Sequence, residues 1–170
     1  MTGSGGGGSS EVVAASVIAL LTERGETVAV AESLTGGLVT AALTSIPGAS
    51  ACVIGGVTAY ATAMKAAILG VPAALLDEMG PVDPGVAGRM ADGVRRLMGT
   101  DWGLSTTGVA GPTWQGEQPP GTVYIAVSGP AGTTVRRLDL AGDRAQIRAA
   151  TVVGVLTLLA EAVAAAPGEQ

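Results

Sequence analysis

The stretch TVAVAESLTGG at residues 27–37 decides the fold. Residues 27–31 form a short apolar run with β-branched members, the pattern of a buried strand. Glu32, Ser33, Leu34, Thr35, Gly36 and Gly37 break that run, and a helix is expected over 37–46, stopped by Pro47 and Gly48. A strand, a turn of small residues and a helix make the opening of an α/β unit. Upstream, Val12, Val13, Ser16, Val17, Leu20 and Leu21 share one face of a helix over 11–24, with Gly25 as its stop. Downstream the alternation continues. Residues 51–60 are strand-like around Gly55 and Gly56, and 61–69 and 72–79 are helical. Asp83 and Pro84 start a helix that runs to Met98. Residues 102–106 form a strand, 108–121 a loop rich in Gly and Pro, and 122–128 with 133–140 a hairpin. Asp143 to Gln146 has capping-box form and opens a last helix to about Ala165. The expected architecture is a three-layer α/β/α sandwich with a mixed, mostly parallel sheet, built from residues 11–166 behind a flexible Gly/Ser tail over 1–10.

Composition narrows the function. The 170 residues are 48% hydrophobic and 14% charged, with a net charge of −5, which suits one globular domain. No basic run exists, so nucleic acid is not an expected partner: it demands clustered Lys and Arg. With two Trp, two Tyr and no Phe, the core must be aliphatic, and little aromatic surface is left for stacking nucleic-acid bases. A single cysteine, Cys52, and no signal-peptide pattern point to a cytoplasmic protein. No apolar run approaches the ~20 residues of a membrane span; residues 151–159 are apolar but too few, so no membrane association is expected. The absence of histidine removes Ser-His-Asp triads, Cys-His pairs and His-based metal sites. No metal or cofactor is expected, and any hydrolysis must take Lys, Tyr or a carboxylate as its base.

Three segments could carry chemistry. Residues 32–37 place small residues before a helix N-terminus, which suits either a ligand or an ordinary tight connection capped by Thr35. Residues 106–112 (TTGVAGP) follow a strand, where α/β folds bind ligands, or form a plain surface turn. The third set is Ser50 in PGAS (47–50), with Tyr60 and Lys65. Ser, Tyr and Lys make a hydrolase without histidine when the amine is desolvated. A capping Ser, a core-edge Tyr and a surface Lys would read identically. As one straight strand, 50–60 spans roughly 30 Å. The three residues therefore meet either through a hairpin at Gly55 and Gly56 or across a subunit interface. Lys65 is the one lysine in the chain, a choice that fits a titratable amine. Arg144, in the first turn of a helix, opposes the macrodipole and hints at a nearby anion, or is simply solvated.

In order, AESLTGG (31–37), PGAS, GGVTAY (55–60) followed by Lys65, LGV (69–71), TGVAGP (107–112), GTVYIAV (121–127) and GDRAQIR (142–148) resemble the CinA C-terminal family over nearly the whole chain. Each motif is weak alone, and the ordered set is specific. The resemblance implies a metal-free amidohydrolase that converts nicotinamide mononucleotide to nicotinic acid mononucleotide and ammonia. It implies Ser50 as nucleophile, Lys65 as base and Tyr60 as the assisting hydroxyl. Ser33, Thr35, Gly36, Thr107, Gly108 and Arg144 would line the nucleotide pocket, Ser33 either binding only or taking part in the chemistry. Phosphate would sit on a helix N-terminus beside Arg144, and backbone N–H groups near 48–50 would stabilise the oxyanion. It also implies a homo-oligomer, dimer or higher. The alternative reading is a catalytically idle nucleotide-binding or regulatory module associated with competence. Where many members carry a glycine pair, this chain has Thr113, Trp114, Gln115 and Gly116.

Overall fold

The computed structural model describes residues 7–167. The elements run α1 (Gly7–Arg24), β1 (Val28–Glu32), α2 (Leu38–Thr44), β2 (Val53–Thr58), α3 (Thr62–Leu69), α4 (Ala73–Met79), α5 (Pro84–Met98), β3 (Trp102–Gly108), β4 (Thr122–Gly129), β5 (Gly132–Asp139) and α6 (Arg144–Ala165). The strands form one sheet in the order β2-β1-β3-β4-β5. Both neighbours of β1 pair with it in parallel, whereas β3–β4 and β4–β5 are antiparallel. The sheet is therefore mixed, with parallel and antiparallel pairings in equal number.

Alternation along β1 builds the layers. Val28 and Val30 join a core with Val17 and Leu21 of α1 and Leu156 and Leu159 of α6. Ala29 and Ala31 face the other way, into a cluster with Val86, Met90 and Val94 of α5. Small residues on that second face let α5 ride close to the sheet: a Cβ at Gly103 would overlap the Ala91 carbonyl. Asp83 caps α5 by accepting from Gly85 N and Val86 N at 2.7 and 3.2 Å. The capping box of α6 is complete, Asp143 and Gln146 each accepting from the other's backbone N–H.

Three sequence expectations change here. The tail over 1–10 lies partly outside the described residues, and Gly7 to Ser10 are helical, because extending a formed helix adds one hydrogen bond for each residue fixed. The hairpin at Gly55 and Gly56 is absent. Both glycines lie inside β2, and Gly56 lets the strand pass Thr40, whose hydroxyl a Cβ there would strike. Finally, α6 spans 22 residues and is long and apolar enough to cross a membrane by length and composition, more than the short run at 151–159 suggests. One face of it belongs to the core, with Ile147, Val155, Leu156 and Leu159 buried.

Candidate active site

β1, β2 and β3 are parallel, so their C-terminal ends share one edge of the sheet. Ser33 directly follows β1. Its N–H donates to the Thr106 carbonyl at 3.1 Å, which continues the β1–β3 register by one residue. Lys65 lies on α3, just beyond β2. Between them the strand ends frame a pocket of about 310 Å³, to which Ser33, Tyr60, Lys65, Thr107, Gly108 and Arg144 all contribute.

Lys65 is 1% exposed. Its Nζ donates to Ser33 Oγ at 3.0 Å, to the Ala59 carbonyl at 2.9 Å and to the Tyr60 carbonyl at 3.4 Å. Among the described residues no ion pair within 4.0 Å involves it. Burial without a counter-charge pushes its pKa down from 10.5 to about 8. The three oxygens suit both protonation states. The ammonium can donate to all of them. The neutral amine can donate to the two carbonyls, which only accept, and turn its lone pair to the Ser33 hydroxyl, which can donate. That is the arrangement of a nucleophile beside its base.

Ser50 is not part of it. It sits exposed in a 3₁₀ turn at Ala49–Ala51, before β2, whereas Lys65 follows β2. Six strand residues, roughly 20 Å, lie between them. The hydrogen-bonding capacity of Nζ is met within its own chain, so no second subunit is needed to supply its serine. The backbone N–H groups around Ser50 are engaged locally: Ala49 N donates to Ile46 O and Ala51 N to Gly48 O, both at 3.1 Å. Within one chain Ser50 and Lys65 are therefore not brought together, and the serine beside Lys65 is Ser33.

Two further assignments shift. Thr35 and Gly36 do not line the pocket. Thr35 is fully buried, its hydroxyl 2.8 Å from Thr106 Oγ1, and it supports the loop from behind. Gly36 takes a φ of +57° in the turn, where its N–H donates to the Ser33 carbonyl. Arg148 of α6 holds the same loop from the other side, donating to the carbonyls of Leu34 and Thr35 at 2.9 and 3.2 Å. Carboxylates occupy the N-termini of α2 and α6. The buried Glu32 carboxylate accepts from Val39 N, Thr40 N and Thr40 Oγ1 at 2.8–3.0 Å at the start of α2, and Asp143 caps α6. The N-terminus of α3, whose Thr62 lines the pocket, carries no side-chain cap.

Arg144 lies at the pocket mouth. It donates to the Gly111 carbonyl at 2.9 Å and to the Tyr60 hydroxyl at 3.1 Å, tying α3's approach to the loop after β3. Thr107 Oγ1 donates to the Pro81 carbonyl at 2.6 Å, fixing that strand end against the segment before α5. Among lining residues the sequence reading missed are Thr62, Val82, Trp114 and Gln115. Trp114 carried a usable signal: a large aromatic in a loop otherwise made of small and polar residues.

A family model for the CinA C-terminal domain matches residues 10–163. A CinA-like protein of Frankia casuarinae is 47% identical over 91% of this chain and 36% of its own length. One from Anaeromyxobacter sp. strain Fw109-5 is 49% identical over 90% of this chain and 38% of its own. The chain thus spans little more than a third of the length of these curated relatives. Among solved structures, the competence/damage inducible protein CihA of Agrobacterium tumefaciens superposes with a TM-score of 0.88 at 34% identity, covering 96% of this chain and 99% of that one. The competence damage-inducible protein A of Klebsiella pneumoniae gives 0.90 at 30% identity, covering 93% and 99%.

Proposed function

The chain belongs to the CinA C-terminal domain family, and we propose that its pocket hydrolyses the amide of nicotinamide mononucleotide through Ser33 and Lys65, without a metal. The observation that carries this reading is the 3.0 Å contact between Ser33 Oγ and a buried, unpaired Lys65 amine. Neutral Lys65 takes the hydroxyl proton as Ser33 Oγ bonds to the amide carbon. The tetrahedral adduct collapses, the C–N bond breaks, and the proton on Lys65 passes to the departing nitrogen as ammonia leaves. Water then attacks the Ser33 ester and gives its proton to Lys65. The ester C–O bond breaks, and Ser33 Oγ takes that proton back. The sum is amide plus water giving acid plus ammonia. The ring of the substrate is a cation, which activates its amide toward attack. Tyr60, whose hydroxyl accepts from Arg144, assists the proton to the leaving group in this reading, and Arg144 supplies positive charge for the phosphate.

The residue chemistry supports this reading because with no histidine a depressed lysine is the natural base. Among the described residues no group of three or more Cys, Asp or Glu side chains could hold a metal ion. The lone, buried Cys52 suits a reducing cytoplasmic setting. The test is ammonia release from nicotinamide mononucleotide in the presence of a chelator, with the acid product identified by mass. Stoichiometric ammonia and nicotinic acid mononucleotide are expected. Saturable binding with no ammonia would replace the enzyme by a nucleotide-binding module.

A further inference from the structure

The chain holds only four aromatic side chains. Trp102 and Tyr124 are buried in the core at 3% and 8% exposure, whereas Tyr60 and Trp114 are open at 60% and 64%. Both exposed rings line the pocket that holds Ser33 and Lys65. A chain that builds its core almost wholly from aliphatic residues has placed its only two open aromatic faces around one cavity. Leaving an indole in water forfeits a large burial gain, so its position calls for an occupant. Trp114 directly precedes a closed turn, in which Gln115 and Gln118 exchange backbone hydrogen bonds at 3.0 Å. Arg144 joins that loop to Tyr60 through the Gly111 carbonyl and the Tyr60 hydroxyl.

We infer that Trp114 receives the flat ring of the ligand on its indole face and sets the preference of this site for ring-bearing nucleotides. The inference rests on the proposed amidase reading and deepens it. An indole is the strongest of the aromatic faces for a cation, and a pyridinium is both flat and cationic. Stacking would hold the ring while leaving its amide free to reach Ser33.

The experiment compares wild-type protein with Trp114→Ala and Trp114→Phe. Loss of one stacked ring is worth about tenfold in binding. Trp114→Ala is expected to raise KM for nicotinamide mononucleotide about tenfold with kcat changed less than twofold, and Trp114→Phe to recover most of the loss. Ribose 5-phosphate, which has no aromatic ring, should inhibit wild type and Trp114→Ala with the same constant. An unchanged KM in Trp114→Ala overturns the inference. So does an equal weakening of ribose 5-phosphate, which would mean that the side chain acts through the loop. If wild-type protein releases no ammonia, the amidase reading fails by itself. Calorimetric titration with the same two ligands and variants then decides the role of Trp114: tenfold weaker mononucleotide binding with unchanged ribose 5-phosphate binding supports it, and equal affinities overturn it.

Discussion

Replacing Lys65 by Met tests whether the buried amine carries the energetic signature that its proposed role as base requires. Met fills similar volume without charge. A pKa lowered from 10.5 to about 8 means that the folded protein holds the charged amine at a cost of about 3 kcal/mol relative to the unfolded chain. The unfolded chain binds the proton more tightly, so wild-type stability rises with pH between about 8 and 10.5, and the penalty is fully present below 8. Lys65→Met removes that penalty but strands the Ala59 and Tyr60 carbonyls, a cost of about 1–3 kcal/mol. The variant should therefore be as stable as wild type, or up to about 2 kcal/mol more stable, at pH 7. Its advantage should fall by roughly 2–3 kcal/mol by pH 10, as the wild-type amine sheds its charge. Urea unfolding of both proteins at pH 7, 8, 9 and 10 reads the difference directly, and tyrosine and cysteine ionisation cancels between them. Parallel stability curves across that range would refute the reasoning, since the amine would then ionise as it does in water.

Three other outcomes follow from the same coordinates. On the proposed mechanism the working base is the neutral amine, so kcat/KM should climb with pH and level off above about 8; a profile flat from pH 6 to 9 would contradict it. Glu32→Gln should leave one of the three donors at the start of α2 unpaired, lowering stability by about 1–3 kcal/mol, measurable as a drop in Tm. Gly93→Ala would push a methyl into the Leu69 carbonyl and should cost about 2 kcal/mol or more despite alanine's better helix propensity; a stabilised variant would show that α3 can move away from α5.

Periodicity and caps made most elements readable. The Asp83–Pro84 start, the Asp143–Gln146 box and the β4–β5 hairpin are local signals, and each stands where its residues put it. The Ser33–Lys65 pairing was less legible, since it depends on strand order. Ser33 and Lys65 are 32 residues apart and meet because β1 and β2 lie side by side in parallel. Ser50 is nearer to Lys65 in sequence yet sits at the opposite end of β2. Chain proximity favoured Ser50, and no periodicity within 50–65 shows that β2 passes straight through its two glycines. Glu32 and Arg148 were equally hidden, because each acts on backbone groups that only the folded chain brings to it.

The most direct measurement sets Ser33→Ala beside Ser50→Ala and follows ammonia release from nicotinamide mononucleotide under single-turnover conditions. Ser33→Ala should bind the nucleotide and release none, while Ser50→Ala should turn over as the unaltered protein does. Undiminished release by Ser33→Ala, or its loss in Ser50→Ala, would contradict the assignment of the nucleophile to the serine beside Lys65.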